Sequence, residues 1–170
     1  MGQIFKYVAV ILGAFLLGAG FSNAATQPPA VGGVLPDFSL AVPKNVDHQR
    51  YLGIADKASF TIPEIKADVV IIQIFSMYWP FCQREAPSIN EMFRKIESDQ
   101  RLKGKVKLLG IGAGNSAFEI GYFKKTYNIP FPLFPDDDFS IHQKIGEVRT
   151  PFFICIRIKN DGSHRVFYSR

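Results

Sequence analysis

Residues 69–87, which read VVIIQIFSMYWPFCQREAP, decide the fold. The first seven, Val69 to Phe75, are a β-branched run that is too short for a helix and too apolar for an exposed strand. They predict a strand that is buried on both faces. An apolar stripe at helical spacing follows, formed by Ile89, Met92, Phe93 and Ile96. A buried strand that passes into an amphipathic helix is typical of an α/β protein.

The sequence after this stretch alternates strands with helices. Val106 to Ile111 predicts a second buried strand, and the capping-box spacing of Ser116 and Glu119 predicts a helix through about Tyr127. Four shorter elements are predicted: a strand at 131–134, a helix at 141–145, and strands at 152–158 and 165–168 joined by a turn at 160–162. The fold class is therefore α/β, with a central sheet of mixed direction flanked by helices.

The composition excludes several classes of protein. The chain has 170 residues, of which 47% are apolar and 21% charged, which excludes a disordered chain and a polytopic membrane protein. The net charge of +5 comes from scattered basic residues, so we expect no nucleic-acid partner. Two cysteines supply neither a disulfide scaffold nor a tetrahedral zinc site. We expect no metal and no cofactor.

The first 25 residues have the pattern of a targeting segment. Lys6 is followed by an uncharged apolar run from Val8 to Phe21, and Ser22-Asn23-Ala24 offers small residues for cleavage after Ala24 or Ala25. The alternative is an uncleaved N-terminal anchor, which would be the only membrane contact. Residues 26–34 predict a linker and residues 35–170 the folded domain. Both alternatives predict export, with the periplasm as the expected location.

The order of motifs in residues 35–170 resembles the thioredoxin superfamily, in particular exported redoxins of the TlpA/ResA and AhpC/TSA-like type. The resemblance rests on five segments: Leu35 to Leu40 as the opening segment, Trp79-Pro80-Phe81-Cys82 in place of Cys-x-x-Cys, Pro87 in the active-site helix, Thr150-Pro151 as the cis-proline loop, and Asn160-Asp161-Gly162 as the hairpin turn. It implies a thioredoxin fold and, as family activity, thiol–disulfide exchange or peroxide reduction.

The sequence departs from this family at the first cysteine, where it has Trp79. An intramolecular dithiol–disulfide cycle needs a second sulfur, so it cannot run on Cys82 alone. Cys155 lies four residues beyond Pro151 along a strand, about 13 Å from the loop. A disulfide needs Cα atoms within about 7 Å, so we expect no Cys82–Cys155 bond and interpret Cys155 as a small core residue.

Cys82 and Trp79 each have two interpretations. Cys82 is either a reactive thiolate, with Arg84 or Arg149 as the stabilising cation, or a buried relic beneath Trp79. The peroxiredoxin pattern also includes a threonine three residues before the cysteine, and this chain has Trp79 at that position. In the first interpretation of Trp79, the ring has a function, either as a plug of the groove or as an aromatic contact surface for a partner. In the second, Trp79 is a neutral replacement of the cysteine.

Two functions from different classes follow from these residues. The first is an enzyme in which Cys82 attacks a protein disulfide or a peroxide, and an outside thiol resolves the product. The second is a non-catalytic module that holds an extended peptide in the groove between Trp79 and Thr150-Pro151, next to Pro80 and Phe81.

Other polar residues are interpreted as structural. The three carboxylates at 136–138 predict a solvated turn, and His142 and His164 are expected at the surface. The glycines from Gly110 to Gly114 lack the phosphate-loop pattern, so they predict a strand-to-helix turn.

The resemblance implies one more structural feature. Family members usually close with a helix on the sheet, and the sequence given stops at Arg170, so we expect that helix to be absent. Val166, Phe167 and Tyr168 would then form a bare apolar face, which marks either a truncated chain or an interface, including self-association through the last strand.

Overall fold

The computed structural model describes residues 27–54 and 57–170, so the predicted targeting segment lies outside the described residues. Seven strands and four helices occur in the described part, in the order β1 (Ser39–Ala41), α1 (Val46–Leu52), β2 (Ser59–Thr61), β3 (Val69–Phe75), α2 (Pro80–Ser98), β4 (Val106–Ala113), α3 (Ala117–Thr126), β5 (Leu133–Asp136), α4 (Ser140–Lys144), β6 (Phe152–Ile158) and β7 (His164–Ser169). A single 3₁₀ turn at Ile62–Glu64 follows β2. None of the described helices is long and apolar enough to cross a membrane.

Five strands form a central sheet in the order β5-β4-β3-β6-β7. Strands β3, β4 and β5 are parallel, whereas β6 pairs antiparallel with both β3 and β7. A separate antiparallel pair is formed by β1 and β2. The predicted α/β fold with a central mixed sheet and flanking helices is confirmed.

The two faces of the sheet bury different sets of side chains. Residues from α1, α4 and the β1–β2 pair pack on the first face, against Val70, Ile72 and Ile74 of β3. Residues from α2 and α3 pack on the second face, against Phe75 and Leu108. Because successive strand residues point to opposite faces, a strand with helices on both sides is mostly apolar, and β3 is apolar except for the buried Gln73.

The turn between β3 and α2 is fixed by hydrogen bonds. Asn115 accepts a bond from the Met77 N–H at 2.8 Å, and the Gln83 side chain donates to the Met77 carbonyl at 2.8 Å. Trp79 is the N-cap of α2 and has an extended backbone, and Pro80 is the first helical residue. Proline suits this position because its missing N–H would have no helical partner there.

Two turn predictions are wrong. Residues 110–113 belong to β4, and only Gly114, with φ of 64°, makes the turn into α3. Gly110 lets neighbouring side chains approach closely, because a Cβ there would lie 2.6 Å from Leu133 Cδ2 and would displace that side chain. Asp136 is not solvated: it ends β5 and is only 3% exposed, while Asp137 and Asp138 are exposed.

The outer edge of β7 contacts the segment that precedes β1. Gly32 donates to the Val166 carbonyl at 2.8 Å, and the Val166 N–H donates to Gly33 at 2.9 Å. The expectation that His164 is a surface residue is wrong, because it is half-buried and its Nε2 accepts a bond from the Leu35 N–H at 3.0 Å. This segment therefore covers part of the β7 edge.

Candidate functional site

A groove lies where the N-terminus of α2 meets the loop between α4 and β6. Its volume is about 520 Å³, and it is lined by Trp79 and Phe81 from α2 and by Arg149, Thr150 and Pro151 from the loop. We call it the end groove. The Thr150–Pro151 peptide bond is cis, as predicted. The structure therefore brings together four of the five predicted groove residues, whereas Pro80 is exposed and begins the helix without lining the groove.

Two aromatic rings are exposed along one wall of the end groove. Trp79 is 48% and Phe81 56% exposed, and their rings stack with centroids 5.8 Å apart at 26°. The guanidinium of Arg84 lies 4.3 Å from the centre of the Phe81 ring. The wall therefore presents apolar area together with a positive charge, which is typical of a contact surface.

Cys82 lies in the first turn of α2 and is fully buried. Burial is the largest influence on its thiol and raises its pKa above the ordinary value. Polar contacts with the Ser76 backbone and the Thr150 side chain act in the opposite direction, and the nearby charge of Glu85 raises the pKa further. Neither Arg84 nor Arg149 contributes to these influences. The thiol is therefore neutral at pH 7, which favours the interpretation of Cys82 as a buried residue beneath the groove.

Glu85 is a residue near the thiol that the sequence analysis did not identify. Its Oε2 atom is buried and has no hydrogen-bond partner among the described residues, and burial raises the pKa of the carboxyl. The sequence holds a signal for it, because Glu85 lies four residues before Ile89 and so on the apolar stripe of α2.

The loop that forms the second wall is supported from α4. Asp136 accepts bonds from the N–H groups of Ile141 at 2.9 Å and His142 at 2.8 Å, in the manner of a carboxylate at a helix N-terminus. His142 in turn donates from Nε2 to the Val148 carbonyl at 2.8 Å. The expectation that His142 is a surface residue is therefore wrong, because it connects α4 to the loop that carries Arg149 and Thr150.

Cys155 is far from this arrangement. It is half-buried on the second face of the sheet, lines a separate groove with Phe153 and Tyr168, and is not part of either buried cluster. Its interpretation as a core residue is wrong because no described helix covers that part of the face. Both cysteines are free, so the expectation of no Cys82–Cys155 bond is confirmed. No cluster of three metal-ligating side chains occurs within residues 27–54 and 57–170.

A protein-family comparison matches residues 31–165 to the AhpC/TSA family. No curated protein matches the chain.

Solved structures of the same fold come from several bacteria. A secreted Mycobacterium tuberculosis disulfide oxidoreductase, described as homologous to Escherichia coli DsbE, is 20% identical, with 76% of this chain and 81% of that chain covered and a TM-score of 0.51. The thioredoxin domain of a thiol-disulfide oxidoreductase from Bacteroides vulgatus is 11% identical, with 83% and 88% covered and a TM-score of 0.60. A hypothetical protein from Sinorhizobium meliloti 1021 is 17% identical, with 82% and 69% covered and a TM-score of 0.60. These likenesses show a thioredoxin fold.

Proposed function

The chain belongs to the AhpC/TSA family, and we propose that it acts in the cell envelope as a thioredoxin-like protein that holds an extended polypeptide segment in the end groove. Trp79 stands where redoxins of the TlpA/ResA type have the first motif cysteine. The expected partners are accordingly proteins with thiols or disulfides. The chain binds them but does not catalyse exchange of their disulfides.

The observation that carries this proposal is the contrast between Cys82 and its neighbours Trp79 and Phe81. The thiol is fully buried, whereas the two rings are about half exposed. A nucleophile has to reach its substrate as a thiolate, and burial disfavours both access and ionisation. Exposed aromatic rings beside a concave surface instead supply binding energy at a low entropic cost.

The loop wall adds hydrogen-bonding capacity. Within residues 27–54 and 57–170, the backbone groups of Arg149 and Thr150 form no backbone–backbone hydrogen bonds. An extended peptide laid along this wall would satisfy them, as strand addition does at an exposed sheet edge. Such bonds do not depend on a thiol, so they remain available with Trp79 at the first motif position.

A second function, thiol catalysis by Cys82, is favoured by the contact between this thiol and Thr150, which lines the groove. In this reaction the Cys82 thiolate attacks one sulfur of a partner disulfide. The new Cys82–S–S–R bond forms as the old S–S bond breaks, and the other sulfur leaves as a thiolate. A thiol from outside then releases Cys82 and takes R in a new disulfide.

Binding of an unfolded polypeptide with carboxymethylated cysteines separates the two functions. We expect Trp79→Ala to raise the dissociation constant about tenfold, since a central aromatic anchor typically contributes this much. Cys82→Ala should change it less than about twofold. Phe118→Ala is the matched control, because Phe118 is an exposed aromatic on α3 outside the groove. If Cys82→Ala instead abolishes binding, or turnover of a model disulfide depends on Cys82, the non-catalytic function is wrong.

Export is tested separately by the mass of the protein in the cell envelope. The uncharged run from Val8 to Phe21 supports export, as does the thioredoxin fold shared with a secreted oxidoreductase. We expect soluble periplasmic protein that begins at Ala25 or Thr26. Retention of Met1 in washed membranes would instead indicate the N-terminal anchor.

A further inference from the structure

The second face of the sheet is open over β6 and β7. On the first face, Ile154, Ile156 and Val166 of these strands are at most 1% exposed. On the second face, Phe167 is 46% and Tyr168 41% exposed. The expectation of a bare apolar face is therefore correct for these two aromatics and wrong for Val166, because Val166 points to the first face.

The open area forms a groove between α2 and β7. Its volume is about 330 Å³, and its lining includes Ile71, Met92, Phe153, Cys155, Phe167 and Tyr168. We call it the face groove. Helices α2 and α3 cover the other half of this face, so the layer of helices on it is incomplete among the described residues. A concave apolar strip beside an existing helix matches the shape of a second helix more closely than that of a flat surface.

Two arginines lie next to the lining of the groove, and the Arg157 guanidinium is 5.8 Å from the centre of the Phe167 ring. Arg157 and Arg165 are directly opposite each other in the β6–β7 pair, and Arg157 is two residues from Cys155, on the same face. Both are exposed, and neither forms a salt bridge in the described part of the chain. Like charges in directly opposite positions destabilise a sheet. A partner that brings negative charge to these arginines would remove the repulsion.

We propose that the face groove docks an amphipathic helix of a partner protein, with its apolar stripe on Phe153 and Tyr168 and its acidic residues at Arg157 and Arg165. This inference concerns a surface separate from the end groove and does not depend on the proposed function. The mode is that of a helix lying in a groove, anchored by residues at i, i+3, i+4 and i+7.

The charge pattern distinguishes this occupant from two others. In a dimer through the face groove, each copy would add two arginines to a surface that already carries two, with no acidic residue among the lining residues to offset them. A bilayer with anionic lipids would supply the negative charge. However, side chains that enter a membrane protrude from the protein surface, whereas the apolar side chains here line a concave groove. The outer edge of β7 is partly covered at Val166, so a partner strand is not favoured there.

Two synthetic 18-residue amphipathic peptides test the proposal with the full-length protein. Both have the same leucine stripe; one has glutamate and the other lysine on the flanks of the stripe. We expect the glutamate peptide to bind at least about tenfold more tightly than the lysine peptide in low salt, and this preference to shrink as salt screens the charges. Bound peptide should also slow the reaction of Cys155 with a thiol reagent, since Cys155 lines the groove.

Charge-reversed variants locate the site. Arg157→Glu should abolish or reverse the preference for the glutamate peptide, whereas Lys125→Glu should preserve it, because Lys125 is exposed on α3 outside the groove. Both substitutions are at exposed positions, and circular dichroism checks that each variant folds.

Three results would overturn the proposal. The first is equal binding of both peptides, or binding of neither. The second is a dimer in sedimentation that Tyr168→Glu dissociates, which would assign the groove to a second copy. The third is binding to phosphatidylglycerol vesicles that Arg157→Glu removes while the glutamate peptide fails to bind, which would assign it to a membrane surface.

Discussion

The end groove and the face groove both border α2, and each has one of the two cysteines beside it. Cys82, in the first turn of the helix, is fully buried beneath the end groove. Cys155, on a strand with no motif, is half-buried and lines the face groove. Burial is the largest influence on both thiols and raises the pKa of each.

This difference teaches that a place in the first turn of a helix does not by itself lower the pKa of a thiol. The start of a helix lowers the pKa of a thiol only where the thiol can also reach solvent or a cation. At Cys82 the desolvation of the thiolate outweighs its hydrogen bonds, and neither nearby arginine contributes. Both grooves have exposed aromatic rings, but the end groove has loop backbone groups without backbone partners and no accessible sulfur, whereas the face groove has the half-buried Cys155.

The largest expected effect comes from placing an accessible thiol in the end groove by Trp79→Cys. Positions 79 and 82 are three residues apart at the start of α2, so the new thiol and Cys82 are on the same side of the helix. The new thiol would be at the exposed N-cap, where the helix dipole favours the thiolate. We expect turnover of a model disulfide to rise by about a hundredfold or more over the natural sequence.

Two further variants control this experiment. Trp79→Ser opens the groove without adding a sulfur and should stay inactive. The double variant Trp79→Cys/Cys82→Ser should lose the gain, because no second thiol resolves the mixed disulfide. A natural sequence that already turns over disulfides as fast as Trp79→Cys would contradict the claim that residue 79 limits the chemistry.

A smaller effect is expected from Asp136, which supports the end groove but not the face groove. Asp136→Ala leaves the buried N–H of Ile141 and the N–H of His142 without their acceptor. Losing such an acceptor costs about 1–3 kcal/mol of unfolding free energy, measurable by urea denaturation. The exposed neighbour gives the control: Asp137→Ala should cost less than about 0.5 kcal/mol.

Asp136→Ala should affect binding at the end groove and leave the face groove unchanged. The loop that carries Arg149 and Thr150 is tied to α4 through His142 and Val148, so binding of the unfolded polypeptide should weaken. The face groove has no contact with α4, so the rate at which Cys155 reacts should not change. A parallel loss at both grooves would mean that Asp136 acts through global stability alone.

The sequence predicts the elements that pack on both sides of the sheet. The apolar run of β3, the capping box at Ser116 and Glu119, and the closing hairpin all follow from local pattern, and the structure has them. The resemblance also led to the prediction that Trp79 and Thr150-Pro151 border one groove, and the structure places them there.

The errors concern residues whose contacts lie outside their own helix or strand, either a few residues along the chain or far from it. Asp136 looks like part of an acidic turn, but its carboxylate is taken up by the N–H groups of α4. His142 and His164 bond to Val148 and Leu35, which no local pattern indicates. Cys155 has the apolar neighbours of a core residue, but it is half-buried because no helix within residues 27–54 and 57–170 covers that part of β6 and β7.

The smallest expected effect compares the two thiols directly. Reaction with iodoacetamide, followed by peptide mass mapping, should modify Cys155 at least about tenfold faster than Cys82, since a fully buried thiol reacts only after local opening of the structure. Burial raises the pKa of Cys155 to about 11. Its thiolate is therefore a small fraction at neutral pH, and the rate should rise about tenfold per pH unit from pH 7 to pH 10 without a plateau.

A plateau below pH 8 in the labelling of Cys82 would show an ionised, accessible thiol in the end groove and would favour catalysis over binding. In Trp79→Cys, by contrast, the residue at position 79 should label fastest of the three, because it alone is at the exposed start of α2.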